Sequence, residues 1–457
     1  MKYDKEILNI ALPSIVTNIT VPLLGIVDVA ITGHIGNSTV AIGAIAVGGL
    51  VFNMVYWLFN FLRMGSSGLT AQAYGRGDGE GQRRVLGMGI KVAVVCGLGI
   101  ICLQRPLEWM AHWIIAPSDE VWELAVQYFR IRVWAAPAVL MLFTLNGWFI
   151  GMQNSRYPLY IAVGQNLINI VVSYALVFHY DMGVQGVAIG TVVAQYLGLL
   201  AAIELSTYLS TNIVDNAISE GYEQGNVDKS GEKLTSYQQF FTVNRDIFFR
   251  MICLIAVTTA FTSYGSHLGD TLLAVNTLLL QLFTLFSYFS DGFAAAGEAI
   301  VGKYFGASQY KNIDKIVKRL FLWGAGVVVL FTAIYSLGGL PFLRLLSDEE
   351  EVIQASAPYL PWAIGIPICG IAAFMWDGVF IGLTATRQMF FSLLVGALVF
   401  FGLYEGISAL LIAHNGADRV SAGTLNHVLW GAFLAYLVVR GVYLSVAYLS
   451  HAHSKHR

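Results

Sequence analysis

The stretch VAVVCGLGIICL, residues 92–103, is apolar at every position and carries no charge. A strand of a membrane barrel would alternate apolar and polar residues, so this uninterrupted run predicts a helix surrounded by hydrocarbon. Apolar runs of about 20 residues, the length that crosses a bilayer, recur along the whole chain of 457 residues. Because 56% of the residues are hydrophobic and 12% are charged, the composition excludes an ordinary soluble protein and indicates an integral membrane protein.

We predict an all-α membrane fold of twelve transmembrane helices. The predicted spans lie near residues 7–31, 42–72, 86–104, 123–149, 158–178, 184–206, 240–265, 271–298, 318–340, 354–380, 389–413 and 424–449. The first span is too polar at its start, and too closely followed by the second, to be a cleaved signal peptide.

The basic residues are distributed unequally between the two sides of the predicted membrane. One side, formed by the termini and the loops after even-numbered spans, holds Lys2, Lys5, Arg76, Arg83, Arg84, Lys91, Arg156, Lys229, Lys233, Arg245, Arg250, Lys303, Lys311, Lys315, Lys318, Arg319, Arg387, Lys455 and Arg457. The opposite side holds Arg105, Arg344 and Arg419. By the positive-inside rule, this asymmetry predicts a multi-pass protein of the plasma (inner) membrane with both termini in the cytoplasm.

The chain contains an internal duplication. The segment FIGMQNSR (149–156) returns as FIGLTATR (380–387), an offset of 231 residues, and HIGNSTVA (34–41) returns as HLGDTLLA (267–274), an offset of 233. The offset of 231 also pairs Gly75 with Gly306, Val121 with Val352 and Tyr128 with Tyr359. A two-residue gap in the second span accounts for the change of offset.

The duplication predicts two lobes of six helices each. The boundaries are 1–206 for the amino-terminal lobe, 207–239 for a polar cytoplasmic linker and 240–457 for the carboxy-terminal lobe. Each lobe has an even number of spans, so the copies are parallel and related by a pseudo-two-fold axis along the membrane normal. Such repeats are typical of transporters with a substrate path between the lobes, although some channels and membrane enzymes are duplicated too.

Asp28 is the strongest candidate for a functional residue. An ionisable group in hydrocarbon costs at least ~3 kcal/mol on insertion scales, so it is a functional-site hypothesis by default. Asp28 lies in the outer half of the first span with no lysine or arginine within a helical turn, so it is either protonated or paired with a cation. Pro13 and Pro22 in the same span each remove a backbone donor and predict a hinge. The alternative is a structural carboxylate held by neighbouring helices.

Three further acidic residues fall inside predicted spans. Asp291 and Glu298 are seven residues apart and so share one face of the eighth span, about 10 Å apart along its axis. For Glu298, a gate or interlobe ion pair with Arg63 competes with a solvated position. Asp377 in the tenth span is a candidate second coupling or substrate site, as is Asp291, or it caps a break in its helix.

The remaining charged residues and motifs carry less functional information. For most of Arg130, Arg132, Glu405 and Arg440, snorkelling to an interface or mutual pairing is the better explanation. The cysteines and histidines lack metal-ligand spacing, and no P-loop, G-x-S-x-G or H-E-x-x-H motif occurs. We therefore expect no metal, no cofactor, no enzymatic activity and no nucleic-acid partner, and we expect a monomer in the lipid bilayer.

Four segments resemble the multidrug and toxic compound extrusion (MATE) transporters, most closely the DinF branch. They are ALPSIVTNITVPLLGIVDVAITGHIG (11–36), FLRMGSSGLTAQAYG (61–75), DGFAAAGEAIVGKYFG (291–306) and WDGVFIGLTATR (376–387). The resemblance runs along nearly the whole chain. It implies a V-shaped pair of six-helix bundles that exports organic, often cationic, compounds in exchange for protons or sodium ions.

The resemblance also implies roles for individual residues. Asp28 matches the first-helix aspartate used for cation coupling, and Pro13 matches the proline associated with bending of that helix. The family pattern of Asn followed four residues later by Asp is Asn169 and Ser173 here, and Thr191 matches a threonine near the same pocket. Because Ser173 replaces the second carboxylate, proton coupling is favoured over a sodium site with two acidic ligands.

The sequence therefore predicts a secondary active antiporter that works by alternating access and uses H⁺, with Na⁺ as the alternative coupling ion. One rival is a lipid or lipid-linked oligosaccharide flippase of the same wider superfamily. Those flippases commonly resemble chains of fourteen spans with cationic cavities, which this chain does not match. A channel or a non-transporting membrane enzyme is a second rival, for which no selectivity-filter loop or nucleophile motif is found.

Overall fold

The computed structural model describes residues 2–33, 38–115, 118–219, 236–347, 349–416 and 419–455. The helices are α1 (Lys2–Thr32), α2 (Ser38–Leu58), α3 (Phe61–Arg76), α4 (Gly79–Cys102), α5 (Gln104–Ile115), α6 (Asp119–Arg132), α7 (Ala136–Gly151), α8 (Arg156–Phe178), α9 (Gly183–Ser219), α10 (Tyr237–His267), α11 (Asp270–Gly306), α12 (Tyr310–Leu343), α13 (Glu350–Ser356), α14 (Leu360–Gly382), α15 (Thr386–Asn415) and α16 (Ala422–Lys455). The described residues contain no strand.

Twelve helical segments in the described part of the chain are long and apolar enough to cross a membrane, which confirms the predicted fold class. Three of these spans are composite. The second joins α2 and α3 across a turn at residues 59–60, and the fourth and tenth each contain one turn of 3₁₀ helix, at Val133–Ala135 and Ala357–Tyr359.

Two features were not predicted from the sequence. Helix α5 follows the third span, and its exposed Trp109 and Trp113 are typical of a helix at the membrane interface. Helix α9 continues to Ser219, past residue 207, where the predicted linker begins. Residues 220–235 of that linker, and residues 34–37 of the repeated segment, lie outside the described residues.

The duplication is visible in the way the two lobes meet. A Cβ added to Gly75 would lie 1.9 Å from the Lys303 carbonyl oxygen, and a Cβ added to Gly306 would lie 2.1 Å from the Gln72 carbonyl oxygen. Gln72 and Lys303 are themselves 231 residues apart. The contact between α3 and α11 is therefore symmetric, and the pseudo-two-fold axis passes between these helices. Only glycine permits this backbone approach.

The same offset relates close contacts inside each lobe. A Cβ at Gly147 would lie 2.1 Å from the Arg63 carbonyl oxygen, and one at Gly378 would lie 2.2 Å from the Ala294 carbonyl oxygen. Helix α7 thus packs on α3 as α14 packs on α11. The predicted parallel repeat is confirmed in the packing of its helices.

Further contacts join the lobes on the membrane face where α1 begins. The Gln72 amide donates to the Gly382 carbonyl oxygen at 2.9 Å, and the Gln153 amide donates to the Ala299 carbonyl oxygen at 2.8 Å. Lys303 pairs with Glu6 at 3.4 Å. These contacts close the space between the lobes toward that face.

Candidate functional site

Asp28 lies at the centre of a polar pocket formed by α1, α8 and α9. Its side chain is 3% exposed. In the orientation of the Asn169 amide that pairs both of its ends, Nδ2 donates to Asp28 Oδ1 at 3.1 Å. The amide oxygen then accepts from Thr191 Oγ1 at 3.1 Å and from the Thr191 backbone nitrogen at 3.2 Å. The structure thus brings together Asp28, Asn169 and Thr191, which come from three separate spans.

Ser173 lies one turn after Asn169 on α8 and faces α9. Its hydroxyl is buried and has no hydrogen-bond partner among the residues that the structure describes. A Cβ at Gly190 would lie 2.1 Å from Ser173 Oγ, so α9 approaches this hydroxyl without a side chain between them. An unpartnered buried hydroxyl beside a carboxylate is a further oxygen available to a bound water or ion.

Arg132, at the end of α6, is a pocket residue that the sequence analysis missed. Its guanidinium donates to the Tyr128 hydroxyl, lies 5.0 Å from the centre of the Phe52 ring and is within electrostatic range of Asp28. Arg132 is distant from Asp28 in sequence, so only the packing of α6 against the pocket reveals the pairing. An intramembrane arginine in the same lobe was the available signal.

Helix α1 is continuous through Pro13 and Pro22, but neighbouring helices supply hydrogen bonds along it. Pro13 has no N–H to offer the Asn9 carbonyl oxygen, and Ser155 Oγ donates to that oxygen at 3.2 Å. The Asn166 amide donates to the Thr20 carbonyl oxygen at 2.9 Å. The predicted hinge therefore lies where side chains of the α8 region share the hydrogen bonding of α1.

The same part of α1 contacts the opposite lobe. The Asn18 amide donates to the Tyr288 carbonyl oxygen on α11 at 3.1 Å. A Cβ at Gly292 would lie 2.3 Å from Ile15 Cγ1 and 3.0 Å from the Ala11 carbonyl oxygen. A change in the shape of α1 near its prolines would consequently be felt directly at the interface between the lobes.

Asp377 is held in a buried ion-pair network in the carboxy-terminal lobe. Its Oδ2 accepts from Arg250, and from Arg440 Nη2 at 2.9 Å. All three side chains are nearly inaccessible to solvent. Helix α14 continues through Asp377, so the proposal that this residue caps a helix break is wrong. The placement of Arg250 in a cytoplasmic loop is also wrong, because it lies on α10, oriented into the lobe by its bond to Asp377.

Glu298 forms the ion pair that was one of its two predicted environments. Its Oε2 lies 3.4 Å from Arg63 Nη1, with the Glu298 side chain 2% exposed and the Arg63 side chain 26% exposed. The alternative of a solvated Glu298 is therefore wrong. Since Arg63 is on α3 and Glu298 on α11, the pair joins the two lobes. Asp291, on the same helix as Glu298, is exposed and lies within electrostatic range of Arg63 and Arg250.

Among the described residues, no group of three or more histidine, cysteine or acidic side chains could hold a metal ion. The buried ionisable groups instead form two separate centres. One is the pocket around Asp28 in the amino-terminal lobe, and the other is the network around Asp377, which reaches the lobe interface through Asp291 and the Arg63–Glu298 pair.

Comparison with known proteins places this architecture in a family of membrane transporters. A family model described as MatE matches residues 13–175 and 247–404. DNA damage-inducible protein F of Escherichia coli (strain K12) is 33% identical over 449 residues, which cover 98% of this chain and 92% of that protein. The chain therefore belongs to the MatE family of multidrug and toxic compound extrusion transporters, and its resemblance to the DinF branch is confirmed.

More distant relatives share the fold. A protein of Thermotoga maritima named probable multidrug resistance protein NorM is 21% identical over 361 residues, covering 77% of this chain and 74% of that protein. A solved structure described as MATE in the bent conformation superposes with a TM-score of 0.81 at 16% identity, covering 100% of this chain and 97% of that one.

Proposed function

We propose that this protein is a secondary active antiporter that exports organic, often cationic compounds in exchange for H⁺, with Na⁺ as the alternative coupling ion. The observation that carries the proposal is the environment of Asp28, which is buried and, among the described residues, accepts a hydrogen bond from a neutral amide. A carboxylate in such a place can gain or lose a cation without breaking a direct ion pair. The name of the Thermotoga maritima relative supports the substrate class.

The contrast with Asp377 supports this choice of coupling residue. Two arginines donate to Asp377 Oδ2, so a proton arriving there would disrupt charge-assisted hydrogen bonds, which are about twice as strong as neutral ones. It would also leave two buried guanidinium groups undercompensated. Asp377 therefore serves as a structural anion, and Asp291 remains the second candidate for ion or substrate binding.

The proposed cycle begins when Asp28 binds H⁺ and loses its charge. Its attraction to Arg132 and to the Asn169 amide weakens, and the positions of α1 and α8 relative to each other become easier to change. Because α1 contacts α11 at Asn18 and Gly292 of that helix, the change reaches the other lobe. Transport is coupled if protonation and substrate favour different arrangements of the lobes.

We further propose that the protein acts in the plasma (inner) membrane as a monomer with both termini in the cytoplasm. The charge asymmetry between the loops supports this orientation. In that orientation, the contacts around Gly75, Gly306 and Gln72 close the cytoplasmic side, and the substrate path opens outward.

Reconstitution into proteoliposomes tests the proposal. Vesicles carrying either an imposed H⁺ gradient or an imposed Na⁺ gradient are offered a panel of fluorescent organic cations, with a fluorescent phospholipid as the comparison substrate. We expect the H⁺ gradient to drive uptake of organic cations and each compound to release protons when it is added. Absence of gradient-driven flux under both ions, or transport of the phospholipid alone, would contradict it.

A further inference from the structure

A second cavity lies away from both ionisable centres, at the ends of α10 and α15 on the membrane face where the chain begins. Its volume is about 900 Å³. It is lined by Ser236, Gln238, Gln239, Thr242, Arg245, Asp246, Thr386, Arg387, Gln388 and the aromatic residues Phe249, Phe390 and Phe391. The lining is polar at the helix starts and aromatic further along the helices.

The polar end of this cavity has an excess of positive charge. Asp246 is already neutralised, because Arg245 Nη2 lies 3.0 Å from its Oδ1 and Thr386 Oγ1 donates to its Oδ2 at 3.3 Å. Arg387 forms no ion pair with any carboxylate among the described residues, and its guanidinium lies 5.6 Å from the centre of the Phe391 ring. One guanidinium is thus available to an anion.

The backbone adds to this positive charge. Helices α10 and α15 both begin at the cavity, so the positive ends of both helix dipoles lie there. The Ser236 hydroxyl caps α10 by accepting from the Gln239 backbone nitrogen. Ala385, at the start of α15, has no side-chain cap to offer, which leaves backbone donors beside Arg387.

The other end of the cavity is suited to acyl chains. Phe249 is 46% exposed and Phe391 is 36% exposed, on spans that run into the hydrocarbon. Phe390 lies between them, with ring centres 6.2 Å from Phe249 and 5.3 Å from Phe391. Exposed aromatic rings next to a basic group are typical of the boundary between headgroups and hydrocarbon.

We propose that this cavity binds an anionic phospholipid from the adjacent leaflet, with its phosphate against Arg387 and the amides that begin α15. The acyl chains then lie along Phe249 and Phe391. A soluble phosphate would use only the charged end, whereas a lipid uses the charged and the aromatic ends together. Basic pockets between transmembrane helices are suited to such headgroups.

Native mass spectrometry of the full-length protein in detergent tests this assignment. The probes are dioleoyl phosphatidylglycerol, dioleoyl phosphatidylethanolamine and inorganic phosphate. We expect preferential retention of phosphatidylglycerol, a loss of about fivefold in its affinity in Arg387→Gln, and affinity near that of the unmodified protein in Arg387→Lys. The matched control is Arg156→Gln, because Arg156 is the repeat equivalent of Arg387 at the start of α8 and does not line the cavity.

Several outcomes would overturn the proposal. They are equal retention of the two lipids by the unmodified protein, unchanged phosphatidylglycerol affinity in Arg387→Gln, an equal loss in Arg156→Gln, or retention of inorganic phosphate without the lipid. Thermal unfolding in lipid-free detergent checks that each variant is folded. If Arg387→Gln does not fold, the salt dependence of phosphatidylglycerol binding by the unmodified protein decides, since binding that does not weaken with salt contradicts a phosphate contact.

Discussion

The two lobes share a scaffold but differ at the position of Asp28. In the amino-terminal lobe, Asp28 accepts a hydrogen bond from Asn169 and lies near Arg132. The offset of 233 residues places Phe261 at the equivalent position of the carboxy-terminal lobe. Phe261 is buried, with its ring centre 5.0 Å from that of Trp430 and 5.1 Å from that of Phe433. Duplication has therefore preserved the helix packing while one copy holds an ionisable pocket and the other an aromatic core.

The lobes also differ in how they hold a buried carboxylate. Asp377 is held by two arginines, whereas Asp28 has a neutral amide at hydrogen-bond distance. A fully paired carboxylate contributes to the integrity of a lobe, and a partly paired one can exchange a cation. Burial alone therefore does not distinguish a structural acid from a coupling acid, but the number and charge of its partners do.

The largest effect is expected at Asp28. Asp28→Asn keeps the shape of the side chain but cannot change charge, so gradient-driven export in proteoliposomes is expected to fall to the level of empty vesicles. Ser173→Ala, in the same pocket, keeps the carboxylate and is expected to retain H⁺-driven export. Full coupled transport by Asp28→Asn would move the coupling site to Asp291.

The next largest effect concerns stability. Asp377→Asn leaves Arg250 and Arg440 buried without their anion and is expected to cost about 3–5 kcal/mol of unfolding free energy. Asp28→Asn is expected to leave the unfolding temperature in detergent unchanged or raised. The triple variant Arg250→Met, Asp377→Leu, Arg440→Met removes all three charges and should be less destabilised than Asp377→Asn alone. Equal unfolding temperatures for Asp377→Asn and Asp28→Asn would remove the distinction between the two acids.

A smaller effect is expected in the pH dependence of transport. The Asn169 amide donates to Asp28 and so favours its ionised form. In Asn169→Ala this support is lost, proton uptake becomes easier, and the midpoint of the pH profile is expected to move upward by about one pH unit. Asn166→Ala is the control, because Asn166 donates to the Thr20 carbonyl oxygen instead. A downward shift in Asn169→Ala would contradict the assigned hydrogen bond.

The smallest effect is expected at the interlobe ion pair. Arg63 is partly exposed, so removing its charge with Arg63→Gln should weaken the closed cytoplasmic side by at most about 1 kcal/mol. Spin labels at Glu80→Cys and Lys311→Cys, in a cysteine-free background, report the distance between the lobes. We expect Arg63→Gln to increase the population with the longer distance up to about fivefold. An unchanged distance distribution would show that the glycine contacts alone hold this side closed.

Much of the architecture follows from local sequence properties. Apolar runs of the right length predicted the twelve spans, and the repeated segments predicted the symmetric contact of Gly75 and Gly306, because identical packing leaves identical glycines. The pocket partners Asn169 and Thr191 were predicted from the family resemblance, and the structure brings them to Asp28. Their function in coupling stays a prediction.

The pairing of charges was decided by the tertiary structure. Hydropathy and charge counts depend on residues near one another in the chain, so they established the spans, the duplication and the isolation of Asp28 within its own helix. Arg132 reaches the Asp28 pocket from α6, and Arg250 and Arg440 converge on Asp377 from α10 and α16. These contacts depend on how helices distant in sequence are rotated and packed, because a charge in hydrocarbon is stabilised by whichever partner the fold brings to it.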